Sequence, residues 1–189
     1  MRSLRMAAAL SALTGTLLLG AAPTAIAADV PYCGITWGSG QKSSPELVSN
    51  AIVGARVGRQ TCFDRLVVDL KGLPPAGYYV EYVDVVRADG SGDPLPVTGG
   101  AKLRIHVLAA GHDQNYQSTV PWSYGSHIVS PGGFRAGSFQ TFRDLVWGGS
   151  FEGESTFGLG VRARLPFRVF KLDGPGTGSR LVIDVAHRW

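Results

Sequence analysis

The run Arg65-Leu66-Val67-Val68-Asp69-Leu70 returns near the end of the chain as Arg180-Leu181-Val182-Ile183-Asp184-Val185. In both copies a period of two sends Leu66, Val68 and Leu70, or Leu181, Ile183 and Val185, to one face. Arg65, Val67 and Asp69, or Arg180, Val182 and Asp184, go to the other. A β-branched run with this alternation is a strand half-buried against a core. A single such unit leaves an apolar face open, and two packed face to face close it. The repeat therefore predicts a chain built from two related β halves.

The rest of the sequence agrees with an all-β class. Ile52–Gly58 and Arg65–Leu70 form a predicted hairpin, and Tyr78–Arg87 a long strand. Lys102–Ala109, Thr156–Arg164, Phe167–Leu172 and Arg180–Ala186 are further strands. Breakers such as Gly72-Leu73-Pro74-Pro75 and Gly174-Pro175-Gly176 separate them, and Asp89 to Pro94 is a turn by composition. Phe139–Trp147 fits a strand or a short helix equally. Ile35–Ser49 is polar and turn-rich, with Trp37 as an anchor against the domain. Residues 111–138 lack periodicity yet hold Tyr116, Trp122, Tyr124, Phe134, His112 and His127, so a long irregular loop is expected there. The predicted fold is a compact sandwich of two quasi-symmetric antiparallel sheets with that one loop.

The first 27 residues have the form of an export leader: Arg2 and Arg5, an apolar stretch from Ala7 to Gly20, then Ala25-Ile26-Ala27 as a cleavage site. A mature start near Ala28 leaves 162 of 189 residues and lowers the formal charge from +4 to +2. Cys33 lies too far downstream for a lipid anchor, so release to the cell exterior is expected. So small an excess of charge, without a Lys/Arg run, gives no case for nucleic acid. No later apolar run is long enough to span a bilayer. In an exported chain Cys33 and Cys62 are expected to form one disulfide. It would tie an N-terminal extension, residues 28–50, to a domain covering 51–189.

Candidate chemistry is thin. Four histidines, at 106, 112, 127 and 187, show no paired metal-ligand spacing. There is no nucleophile elbow, and Glu152 with Glu154 falls in a Gly-rich turn with nothing to split their pKa values. Asp89, Ser91 and Asp93 lack the remaining ligands of a calcium loop. No cofactor and no metal are expected. Two groups of residues suit binding instead. Arg56, Arg59, Arg65 and Arg180 offer forks for the carboxylates or phosphates of a wall polymer. Lying antiparallel and adjacent, the two copies would instead let Arg65 face Asp184 and satisfy the charges locally. Trp122 and Tyr124, with Tyr116, are rings able to stack on sugars, or equally to cap the sandwich.

Val57-Gly58-Arg59, Asp64 to Leu70 and Ser179 to Val185 resemble the AMIN domain of bacterial cell-wall amidases. The chain resembles the AMIN-like secreted proteins and lipoproteins of actinobacteria more closely. Cys62-Phe63-Asp64-Arg65, Trp147-Gly148-Gly149-Ser150-Phe151-Glu152-Gly153 and Leu159 to Val169 carry that likeness. The resemblance implies a small β-sandwich and a non-catalytic role at the cell wall, with peptidoglycan as the leading ligand. No amidase domain follows in this sequence. The competing expectation is a protein-interaction module that scaffolds or regulates an exported wall enzyme.

Overall fold

The computed structural model describes residues 31–48, 50–128 and 138–189. The leader expected over 1–27 lies outside them, as does Phe134 of the irregular loop. A single 3-10 turn, Tyr32–Gly34, precedes nine strands: β1 Lys42–Ser44, β2 Ala51–Arg59, β3 Phe63–Lys71, β4 Tyr78–Val83, β5 Ala101–Val107, β6 Phe142–Phe151, β7 Glu154–Val161, β8 Phe167–Asp173 and β9 Gly178–Ala186. They form two antiparallel sheets, ordered β2-β3-β9-β8 and β1-β4-β5-β7-β6.

The core lies between the sheets. Leu66, Val68, Leu181 and Ile183 enter it from the smaller sheet and Leu103, Ile105, Phe157 and Leu159 from the larger, all fully buried. Each such side chain contributes about 1.5–3 kcal/mol of transfer free energy. The alternation in the repeated motif thus chose the buried face correctly. Its two copies, however, are neighbours in one sheet, β3 against β9, rather than partners across the core. Tyr78–Val83 and Phe167–Leu172, which share an aromatic-rich alternation, fall in opposite sheets as β4 and β8.

Three local expectations change. The ambiguous Phe139–Trp147 stretch is strand β6, because Leu145 and Trp147 point into the core while Val146 points out. Its outer edge is covered by the following contacts: Trp147 N–H donates to Ser126 O at 3.0 Å and Gly125 N–H to Trp147 O at 2.8 Å. The long strand expected to reach Arg87 stops at Val83. Residues 84–99 instead fold back over the outer face of the larger sheet, where Val86, Ala88, Leu95 and Val97 close a second apolar cluster on Val146. Gly158 and Gly160 make room for them, since a Cβ there would collide with Val97 and with the Thr98 carbonyl. Within the polar 35–49 segment, Lys42–Ser44 pairs with β4 as strand β1.

The extension is held as the cysteines require. Cys33 and Cys62 are bonded, Phe167 N–H donates to Gly38 O at 2.9 Å, and Lys171 Nζ pairs with Glu46 at 2.9 Å. The segment therefore runs along the β8 edge and joins the two sheets on that side.

Candidate functional site

The outward side of the β2-β3-β9-β8 sheet concentrates the charged half of the repeat. Alternation places Phe63, Arg65, Val67 and Asp69 outward on β3. Opposite them on β9 stand Ala186, Asp184, Val182 and Arg180, in register. From β8 the outward residues are Arg168 and Phe170, facing Asp184 and Val182. Arg56 joins from β2, opposite Val67.

Asp184 is the hub. Its carboxylate is fully buried and accepts a fork from Arg65, Nε to Oδ1 at 2.7 Å and Nη2 to Oδ2 at 2.9 Å. Arg168 donates to the same Oδ2 from Nε at 2.8 Å. Hydrogen bonding to Asp184 raises the Arg65 pKa further above its ordinary value, so that guanidinium is permanently charged. Two cations on one anion leave a positive charge on the face. The guanidiniums also lie against rings: Arg65 sits 5.1 Å from the Phe63 centroid, and Arg168 5.0 Å from that of Phe170 and 5.7 Å from that of Trp37. Trp37 reaches this position because the disulfide anchors its segment beside Phe63, and its indole N–H donates to Tyr32 O at 2.8 Å.

Further along the face, Arg56 forks onto Asp69, with both contacts at 2.9 Å. Arg180 donates from Nη2 to the Asp173 carbonyl at 3.1 Å, and its buried Nε has no partner among the described residues. Arg56, Arg65, Arg168 and Arg180 thus stand against the carboxylates of Asp69 and Asp184. The register realises the cross-strand pairing of Arg65 with Asp184, and still leaves the face cationic.

The aromatic loop is divided. Trp122 is half-buried and packs on the core, its ring 5.5 Å from Trp147 and 6.0 Å from Phe157, as a cap on the sandwich. Tyr124 is exposed, with its hydroxyl 3.3 Å from Ser91 Oγ. Neither lies on the arginine face. Arg59, exposed at the end of β2, has the inward parity of Val57 rather than the outward parity of Arg56.

The model of the AMIN-like domain family matches residues 50–187. That span covers most of the chain and both copies of the repeat. The chain belongs to the AMIN-like family. Comparison with curated proteins and with solved structures gives no match. AMIN-like domains are non-catalytic, binding-type modules associated with cell-wall proteins, which points to an extracytoplasmic setting. No helix among the described residues is long and apolar enough to cross a membrane.

One polar cluster in this AMIN-like domain escaped the sequence. His106, on the outer side of β5, is held by Asp89 Oδ2 at 3.2 Å and Glu154 Oε2 at 2.6 Å. The Thr156 hydroxyl donates to Asp89 as well. Its hydrogen bond to Asp89, aided by Glu154, raises the His106 pKa against the effect of burial. Among the described residues no group of three or more His, Cys, Asp or Glu is arranged to hold a metal ion.

Arg168, Phe63 and Phe170 were not singled out as site residues from sequence. The available signal was the alternation Phe167-Arg168-Val169-Phe170, which places Arg168 and Phe170 together on one side of a strand.

Proposed function

We propose that this AMIN-like protein is an extracytoplasmic, non-enzymatic module that binds the cell wall, with peptidoglycan or a polymer attached to it as ligand. The reading places the contact on the outward side of the β2-β3-β9-β8 sheet. One observation carries it: a buried carboxylate, Asp184, is shared by two guanidiniums that are framed by Phe63, Phe170 and Trp37. The remaining N–H donors of Arg65 and Arg168 suit the carboxylates of wall peptides or the phosphates of an attached polymer. The rings beside them are of the type whose faces stack on the apolar faces of sugars. Arg56 and Arg180 extend the cationic strip, whereas Arg59, Trp122 and Tyr124 stand outside it.

A protein partner is the competing reading, favoured by the exposed rings of Tyr116 and Tyr124 on the loop. Co-sedimentation of the mature protein with isolated peptidoglycan, before and after its attached polymers are stripped, separates the two. Wall binding predicts pelleting with no added protein, weakened as salt is raised. Protein that stays in the supernatant throughout overturns the proposal and leaves the partner reading.

A further inference from the structure

Beyond Asp69, at the end of β3 away from Arg65, lies a groove none of whose walls is an arginine. It opens at the start of β2, the end of β3, the end of β5 and the β6–β7 turn, and has a volume of about 920 Å³. That is the size of a ligand-binding cleft. Leu47, Val48, Leu108 and Ala110 supply apolar walls, and Asn50, Gln114 and Asn115 supply amides.

Its charge is opposite to that of the chain. Asp113, Glu152 and Glu154 line it against Lys71 and His112, in a chain whose formal charge is +4, or +2 from Ala28 onward. These carboxylates are not equally engaged. Asp113 Oδ1 accepts the backbone N–H groups of Asn115 at 2.8 Å and Gln117 at 2.9 Å. Glu154 is held by His106. Glu152 forms no ion pair among the described residues and has φ 49°, a left-handed position that glycine occupies more easily. The exposed Glu152 carboxylate thus stands on the rim of a cleft with mixed apolar and amide walls.

We infer that this groove is a second binding site, for a short peptide carrying a primary ammonium group on a side chain. The apolar walls and amides take the peptide's small side chains and backbone. Glu152 and Asp113 take the ammonium group, and Lys71 opposes it. The groove shares none of Arg56, Arg65, Arg168, Arg180 or Asp184 with the arginine face, although Lys71 follows Asp69 on the outward row of β3, and the two sites are told apart by separate sets of amide shifts.

The test is titration of the ¹⁵N-labelled mature protein with the end-blocked tripeptide Ala-Lys-Ala and with the same peptide acetylated on its lysine. Saturable shifts at the amides of Asn50, Gly72 and Gly153 are expected with the first peptide and not with the second. Glu152→Gln weakens binding about two- to fivefold, and Lys71→Ala strengthens it by a similar factor, the scale of an exposed ion pair. Both positions are on the surface, so the folded spectrum is retained. Equal binding of the two peptides, absence of saturable shifts, or shifts away from the groove overturns the inference.

Discussion

Asp184 shows how one side chain sets both stability and charge on the outward face of the smaller sheet. It is fully buried, and its whole compensation comes from Arg65 and Arg168. Asp184→Ala leaves two guanidiniums, each about one-third exposed, facing each other without a counter-charge; water reaches both, so the cost falls at the lower end of the about 3–5 kcal/mol for breaking a buried pair. Chemical denaturation is expected to show a loss on that scale. Arg180→Gln removes only a hydrogen bond to a backbone carbonyl, and its midpoint is expected to change little by comparison. Equal losses in the two variants would contradict the role given to Asp184. At this scale the sequence was half legible. The two copies of the repeat made an Arg65–Asp184 pairing one of the arrangements open to them. Nothing short of strand order showed that Arg168 shares the same carboxylate, because that contact depends on which strand flanks β9.

At the scale of elements, the segment 84–99 is the departure from simple alternation. A strand was expected to continue through Arg87, but the apolar residues Val86, Ala88, Leu95 and Val97 serve a second cluster outside the sheet. Local periodicity cannot distinguish an apolar residue facing the core from one covering the far side of the same sheet. The segment is pinned by Asp89, which His106 and Thr156 hold from β5 and β7. Arg104 and Glu81 form an adjacent ion pair at 2.5 Å, Tyr79 packs its ring edge-on to His106, and Glu154 closes the far side. The His106 pKa is raised above its ordinary 6.5 in the folded protein. Its stabilising contribution is therefore complete below pH 6.5 and lost as pH rises through the folded value. Stability measured by denaturation is expected to fall across that interval, and His106→Gln to remove that part of the dependence. A dependence unchanged in the variant would assign it to other groups.

At the scale of the whole molecule, the disulfide and the β1–β4 pairing make the 31–48 segment part of the sandwich and bring Trp37 to the arginine face. The all-β class and most strands were legible because alternation and breakers are local signals. The arrangement of the repeat was not, since one pattern serves strands beside each other and strands across a core. The groove was still less legible, as its walls come from segments far apart in sequence. The cationic face of the smaller sheet is proposed to engage the wall. The most direct test is a map of ¹⁵N amide shifts on adding soluble wall fragments, prepared with and without attached polymer. Salt-sensitive shifts clustered around Arg65, Arg168, Phe170 and Asp184 are expected. Shifts confined to the loop carrying Trp122 and Tyr124, or to the groove, would contradict the proposal.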